Sequence, residues 1–184
     1  MPGGVRAVGA VGTRKTSSNG ASFLDLAELV AIRGFREFGI SLQAVRRLAD
    51  YCARELDVER PLVSLSFKAG GHDVFIDRGA DLLSVSRSRG QQAWWDVLAP
   101  FLETLDYGLQ FARRWWPEGR DRPILVDPGV GFGLPVVAGS GVRTEILFER
   151  FRARDSIAQI AEDFGLDAAE VEAALRFETT RLAA

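Results

Sequence analysis

The strongest constraint on what this chain can fold into is a repeated start-and-stop grammar between about Val142 and Leu182. Thr144 can cap a helix that carries Ile146, Leu147, Phe148 and Phe151. Ser156 and Gln159 make a capping-box pair, in which a hydroxyl accepts from a free backbone N–H at the helix start. The helix so opened places Ile157, Ile160, Ala161 and Phe164 at helical spacing. Gly165 stops it, Leu166 fills the turn, and Asp167 with Glu170 repeats the start signal. A third helix then turns Val171, Ala174, Leu175 and Phe177 inward. Signals that agree at this density predict a compact three-helix helix-turn-helix unit.

The other end of the chain is read in the same way. Residues 1–21 are rich in glycine, serine and small side chains and predict a mobile tail. Ser22, with Asp25 three residues on, opens a helix on which Leu26, Leu29, Val30, Ile32 and Phe35 recur at helical spacing. Gly39 stops that helix and Ser41 caps the next, which carries Leu42, Val45, Leu48, Cys52 and Leu56. Between the two ends the period changes to two. Leu62–Lys68 and Asp73–Asp77 read as strands joined by Ala69-Gly70-Gly71-His72, with Leu82–Ser86 as a third. Gln91–Leu105 reads as a helix, Tyr107–Trp116 and Ile124–Val126 as strands, and Asp127–Pro135 as an ordered loop or boundary. The fold class is therefore α+β: an N-terminal helix pair, a small antiparallel sheet with a helix, and the C-terminal three-helix unit. The expected divisions are 1–21, 22–126 and 127–184.

Composition narrows the function classes. A net charge of −2 gives no global pull toward nucleic acid or an anionic membrane, so any such contact needs a local patch. No apolar run reaches the ~20 residues that span a bilayer, and no apolar stretch marks a secretory leader, so a cytoplasmic protein is expected. The single cysteine, Cys52, excludes an intrachain disulfide and a multi-cysteine metal site, and its place in an apolar stripe marks it as core. The lone His72 lacks a second metal ligand beside it. Gly129, Gly131 and Gly133 follow a strand, but the extended Leu134-Pro135-Val136-Val137 comes next where a phosphate loop needs a helix start. No metal, cofactor or catalytic residue is expected. The basic groups Arg33, Arg36, Arg46, Arg47, Arg143, Arg152 and Arg154 are the candidates for DNA phosphate, although Asp167, Glu170 and Glu172 at the start of the third helix would repel it. Arg113, Arg114, Trp115 and Trp116 have the composition of a protein-interface hot spot.

Residues Asp127-Pro-Gly-Val-Gly-Phe-Gly-Leu-Pro-Val-Val-Ala-Gly-Ser-Gly-Val142, followed by Glu149 to Leu166, resemble the bacterial domain of unknown function 433, whose members include VapB-type antitoxins. The stretch from Ser22 to Arg47 looks like the later helices of a MerR-like module in longer antitoxins of that group. Two departures accompany the resemblance. Ser140-Gly141 stands where the family has Thr-Arg, and residues 1–20 stand where an earlier helix-turn-helix would read DNA. Either the start is truncated or misassigned, or that DNA contact is lost. The resemblance implies a type II antitoxin that neutralises a cognate PIN-domain ribonuclease and represses its own operon as a homodimer. An arginine, Arg113 or Arg114, would then enter the toxin's acidic site. The alternative is a stand-alone DNA-binding regulator.

Overall fold

The computed structural model describes residues 21–37, 39–74 and 98–183. Helices α1 (Phe23–Glu37), α2 (Leu42–Glu55) and α3 (Leu65–Val74) come first, then helical residues 98–103. Strands β1 (Leu105–Tyr107), β2 (Ala112–Trp115), β3 (Ile124–Val126) and β4 (Pro135–Val137) follow, and α4 (Thr144–Arg152), α5 (Ile157–Phe164) and α6 (Ala168–Ala183) close the chain. The strands form one sheet in the order β1-β2-β3-β4. The α+β class stands as read. The chain divides into two compact units. One holds the described residues up to Leu102 together with Tyr107–Ala112; the other holds Glu103–Asp106 and Arg113 onward.

In the first unit the capping signals work as expected. The Ser22 hydroxyl accepts from the Asp25 backbone N–H at 3.2 Å, and the Asp25 carboxylate accepts in return from the Ser22 N–H at 2.8 Å. Gly39 takes the left-handed conformation that ends α1, and the Ser41 hydroxyl accepts from the Ala44 N–H. The buried stripe of α1 differs from the expectation. Ala27, Ala31 and Phe35 are buried, whereas Leu26 and Leu29 are exposed. Of the expected α2 stripe, Val45, Leu48 and Cys52 are buried and Leu56 is half-buried, whereas Leu42 in the first turn is exposed. Burial pushes the Cys52 thiol up to about 12, which keeps it protonated and inert.

The hairpin expected over Leu62–Asp77 is corrected. Pro61–Val63 form a single 3-10 turn and Leu65–Val74 form α3, so His72 lies in a helix and not at a turn. The cause is Ser64, whose side chain accepts from the Phe67 N–H at 3.0 Å and starts the helix. Alternating apolar residues had concealed a capping serine. The strand expected over Tyr107–Trp116 is also two strands, β1 and β2, joined through a turn closed by Gly108 N–H to Phe111 O at 2.9 Å. The expected tail, the Leu82–Ser86 strand, and Trp94 and Trp95 lie outside the described residues.

Arg60 ties this unit together: it pairs with Asp25 at 2.7 Å and with Glu28 at 3.1 Å. Hydrogen bonds from Ser22, then the Arg60 contact, lower the Asp25 carboxyl from 3.8 to about 2. A group lowered on folding stabilises fully above its unfolded value and loses that contribution as pH falls through the folded one. Helix α1 should therefore loosen between about pH 4 and pH 2. Acid titration of helicity would show this, and Asp25→Asn should flatten the transition; an unchanged acid limb in that variant would remove the assignment.

The second unit has its core where β3, β4 and the three helices meet. Ile124, Val137, Leu147, Ile160, Val171 and Ala174 are fully buried there. Ser156 caps α5 by accepting from the Gln159 N–H, Gly165 takes the left-handed turn, and the Glu170 carboxylate accepts from the Asp167 N–H. Thr144 does not cap α4. Arg143 holds the cap position, while Thr144 is buried in the first turn with its hydroxyl 2.5 Å from Glu178 Oε1. Glu178, itself buried on α6, is paired on its other oxygen with Arg181 at 2.8 Å. A hydroxyl adjoining a strand-to-helix turn serves equally as cap or as buried donor, and here a carboxylate from α6 claims it.

Candidate functional site

The two faces of the β3–β4 pair differ: one packs on the helices and the other borders a depression. Strands β3 and β4 pair antiparallel with Ile124 opposite Val137, Leu125 opposite Val136 and Val126 opposite Pro135. Alternation along a strand sends Ile124 and Val137 into the helical core and Leu125 and Val136 to the other face. There they floor a depression of about 490 Å³, walled by Arg114 and Trp116, by Asp127 and Val130, and by Ala138–Gly141.

Two polar networks hold its walls. Asp127 is buried, and its Oδ1 accepts from the Gly129 N–H at 2.8 Å while Arg114 Nε donates to Oδ2 at 2.6 Å. Burial pushes the Asp127 carboxyl up, yet the Gly129 and Arg114 bonds outweigh it and hold the group below the usual carboxylate range. On the far wall the Trp116 indole N–H donates to Asp106 Oδ2 at 3.0 Å, and Arg120 pairs with Asp106 Oδ1 at 2.6 Å. Burial opposes ionisation of Asp106 as well, and the Trp116 and Arg120 bonds again lower it. Trp116 and Arg114 are thus fixed in place before any partner arrives.

The loop from Asp127 to β4 borders the depression. Gly131, Phe132 and Gly133 all take positive φ, at 57°, 59° and 75°. A phenylalanine in that conformation costs roughly 1–2 kcal/mol. At Gly131 a Cβ would lie 2.6 Å from Val136 Cγ1, so only glycine fits. Phe132 itself is 98% exposed. From Leu134 onward the chain continues into β4, the extended segment expected there.

The residues singled out from sequence fall in different places. Arg113 is exposed on β2 and Arg114 is engaged with Asp127; Trp115 and Trp116 are half-buried. Of these four, Arg114 and Trp116 line the depression, whereas Arg113 and Trp115 alternate to the other face of β2. Arg33 pairs with Glu37 on α1, and the Arg36 guanidinium donates to the Ile40 carbonyl. Arg46 and Arg47 are exposed on α2. Arg143 stands at the N-cap position of α4 without a side-chain cap bond, and Arg152 and Arg154 are exposed at its far end, Arg154 with a left-handed φ of 81°. The structure therefore distributes the basic candidates over both units. Sequence reading missed Leu125, Val136, Asp127 and Phe132. Asp127-Pro128-Gly129 carried a usable signal, since an aspartate that bonds the N–H two residues on makes an Asx turn.

The family model described as protein of unknown function (DUF433) matches residues 124–177. This segment is similar to that family. It begins on β3 and includes both the loop bearing Phe132 and all of α4 and α5. The chain as a whole is similar to "Putative antitoxin VapB45" of Mycobacterium tuberculosis, with 27% identity over 168 residues that cover 83% of this chain and 69% of the relative. The resemblance to VapB-type antitoxins with such a domain is thereby borne out. The fold is also similar to the crystal structure of Rv2018 from Mycobacterium tuberculosis, with a TM-score of 0.68 at 22% identity over 83% of this chain and 77% of that one. Among the described residues, no helix is long and apolar enough to cross a membrane.

Proposed function

We propose that this chain is the antitoxin of a type II toxin–antitoxin pair. On this reading it neutralises a PIN-domain ribonuclease by direct binding, without catalysis of its own, through the surface around the depression. The observation that carries the reading is the similarity to VapB45 over most of the chain. The geometry supports it by supplying an apolar floor with pre-positioned tryptophan and arginine walls, the composition of a protein-binding hot spot. Arg114 lines the depression and is held by Asp127; Arg113 is exposed, makes no ion pair among the described residues and stands on the other face of β2, so both remain candidates for the toxin's acidic site.

Autorepression is the second part of the proposal. A homodimer would place Arg33, Arg36, Arg46, Arg47, Arg143, Arg152 and Arg154 on operator phosphates. The acidic first turns of α6, with Asp167, Glu170 and Glu172, suit the helix dipole but repel a phosphate backbone. Any DNA contact would thus come from the arginines and not from base reading by α6.

Co-expression with the neighbouring reading frame, followed by native mass spectrometry and growth measurement, tests the first part. A stable complex with rescued growth is expected; neither complex nor rescue would leave only the DNA-binding regulator. Within the complex, Arg113→Ala with Arg114→Ala should weaken toxin binding about tenfold or more. Arg46→Ala with Arg47→Ala should leave toxin binding unchanged. Intact inhibition by the first pair would remove the arginine assignment.

A further inference from the structure

The Phe132 loop has features that the fold itself does not require. A fully exposed side chain contributes no burial, and a left-handed phenylalanine is worse for stability than glycine at the same place. The turn is nonetheless fixed. Val130 N–H donates to Asp127 O, Gly133 N–H to Val130 O, and Leu134 N–H to Gly131 O, at 3.0 to 3.2 Å. Its base is anchored by the buried Asp127 and its bond to Gly129. The ring is held out on a rigid turn with little conformational freedom left to lose on binding.

Its surroundings define what it fits. Residues 128–142 contain no charged side chain, and the first charge after them is Arg143. The Arg143 side chain passes beside the turn, with its Cγ 3.5 Å from where a Gly131 Cβ would stand. Leu134 next to it is also exposed. An aromatic knob with an aliphatic neighbour and a cationic flank matches a protein pocket that is apolar inside and carboxylate-rimmed. Nucleobase stacking fits less well, because tracts that bind single strands supply several aromatic platforms and this loop supplies one.

We propose that Phe132 is the anchor by which the DUF433-like segment engages its protein partner, inserting into an apolar pocket whose rim carries a carboxylate for Arg143. This rests on the antitoxin reading for the partner's identity and extends the interface beyond the depression to the loop.

The test uses the full chain and the product of the neighbouring reading frame. Phe132→Gly should raise the Tm of the free chain by about 2–4 °C, because strain is relieved and no buried contact is lost. The same variant should weaken the complex at least about thirtyfold, and Phe132→Trp should retain most of the affinity. Arg143→Glu should weaken it further and reverse its salt dependence. A lowered Tm for Phe132→Gly would show a structural role and overturn the proposal, as would unchanged affinity. If the wild-type chain does not bind the neighbouring product, the antitoxin reading fails. Photo-crosslinking from a benzophenone amino acid at position 132 in cells then decides the anchor proposal. A crosslink mapped to an apolar protein surface beside acidic residues upholds it. A crosslink to nucleic acid, or none, overturns it.

Discussion

Leu147→Ala should lower the opening free energy of the C-terminal helices by about 3 kcal/mol. Leu147 is fully buried among Ile124, Val137, Ile160, Val171 and Ala174, which come from two strands and two helices. A cavity at that junction cannot close by moving one element, since each neighbour is held by a different part of the chain. The loss of transfer free energy is then accompanied by a cavity term. Amide exchange of residues in α4 to α6 measures the effect in place. Leu147→Met, which keeps the volume, should cost less than about 1.5 kcal/mol. A loss under 1 kcal/mol for the alanine variant would mean that the helices repack freely and that the core is less specific than its burial indicates.

The second large effect is expected at Asp127, where stability and binding meet. Asp127→Ala removes the acceptor of the Gly129 N–H and the partner of Arg114 in one change. Arg114 is 41% exposed, so it can turn to water and is not left as a buried charge. The cost is therefore placed at about 2 kcal/mol, below that of breaking a fully buried pair. Its effect should reach binding as well as the fold. Freed from Asp127, the 128–134 turn loses its base and Arg114 loses its orientation, so partner affinity should fall by more than tenfold, roughly the factor that 1.4 kcal/mol supplies. Asp127→Asn should be milder, since an amide oxygen can still accept from Gly129. Exchange rates in the loop and affinity for the co-expressed partner should change together in the two variants; loss of affinity with an unchanged loop would separate them.

The same carboxylate gives the site a defined acid limit. Asp127 and Asp106 are both lowered on folding by hydrogen bonds that outweigh burial. Their contribution is present above the ordinary carboxylate value and is lost as pH falls below it. The walls of the depression should thus stay intact at neutral pH and loosen only in acid.

Where the controlling interaction is local, sequence was sufficient. Ser41, Ser156, Gly165 and the Asp167–Glu170 pair bond to groups within three or four residues, so their roles followed from spacing alone. The same holds for β3 and β4, whose short apolar runs stand between turn residues. The resemblance to DUF433 could also be read there, because its loop and helix starts are local patterns. Tertiary structure decided what depends on distant partners. Helix α1 offers two apolar stripes, and only packing shows that Ala27, Ala31 and Phe35 face inward while Leu26 and Leu29 do not. Thr144 became a buried donor because Glu178 reaches it from another helix, and Arg114 became a wall because Asp127 lies across the sheet. Phe132 was legible as a residue between two glycines, but its display to solvent was not. Helix and turn signals are written in spacings of a few residues, whereas a depression beside the sheet and a presented side chain exist only once strands far apart in the chain have paired.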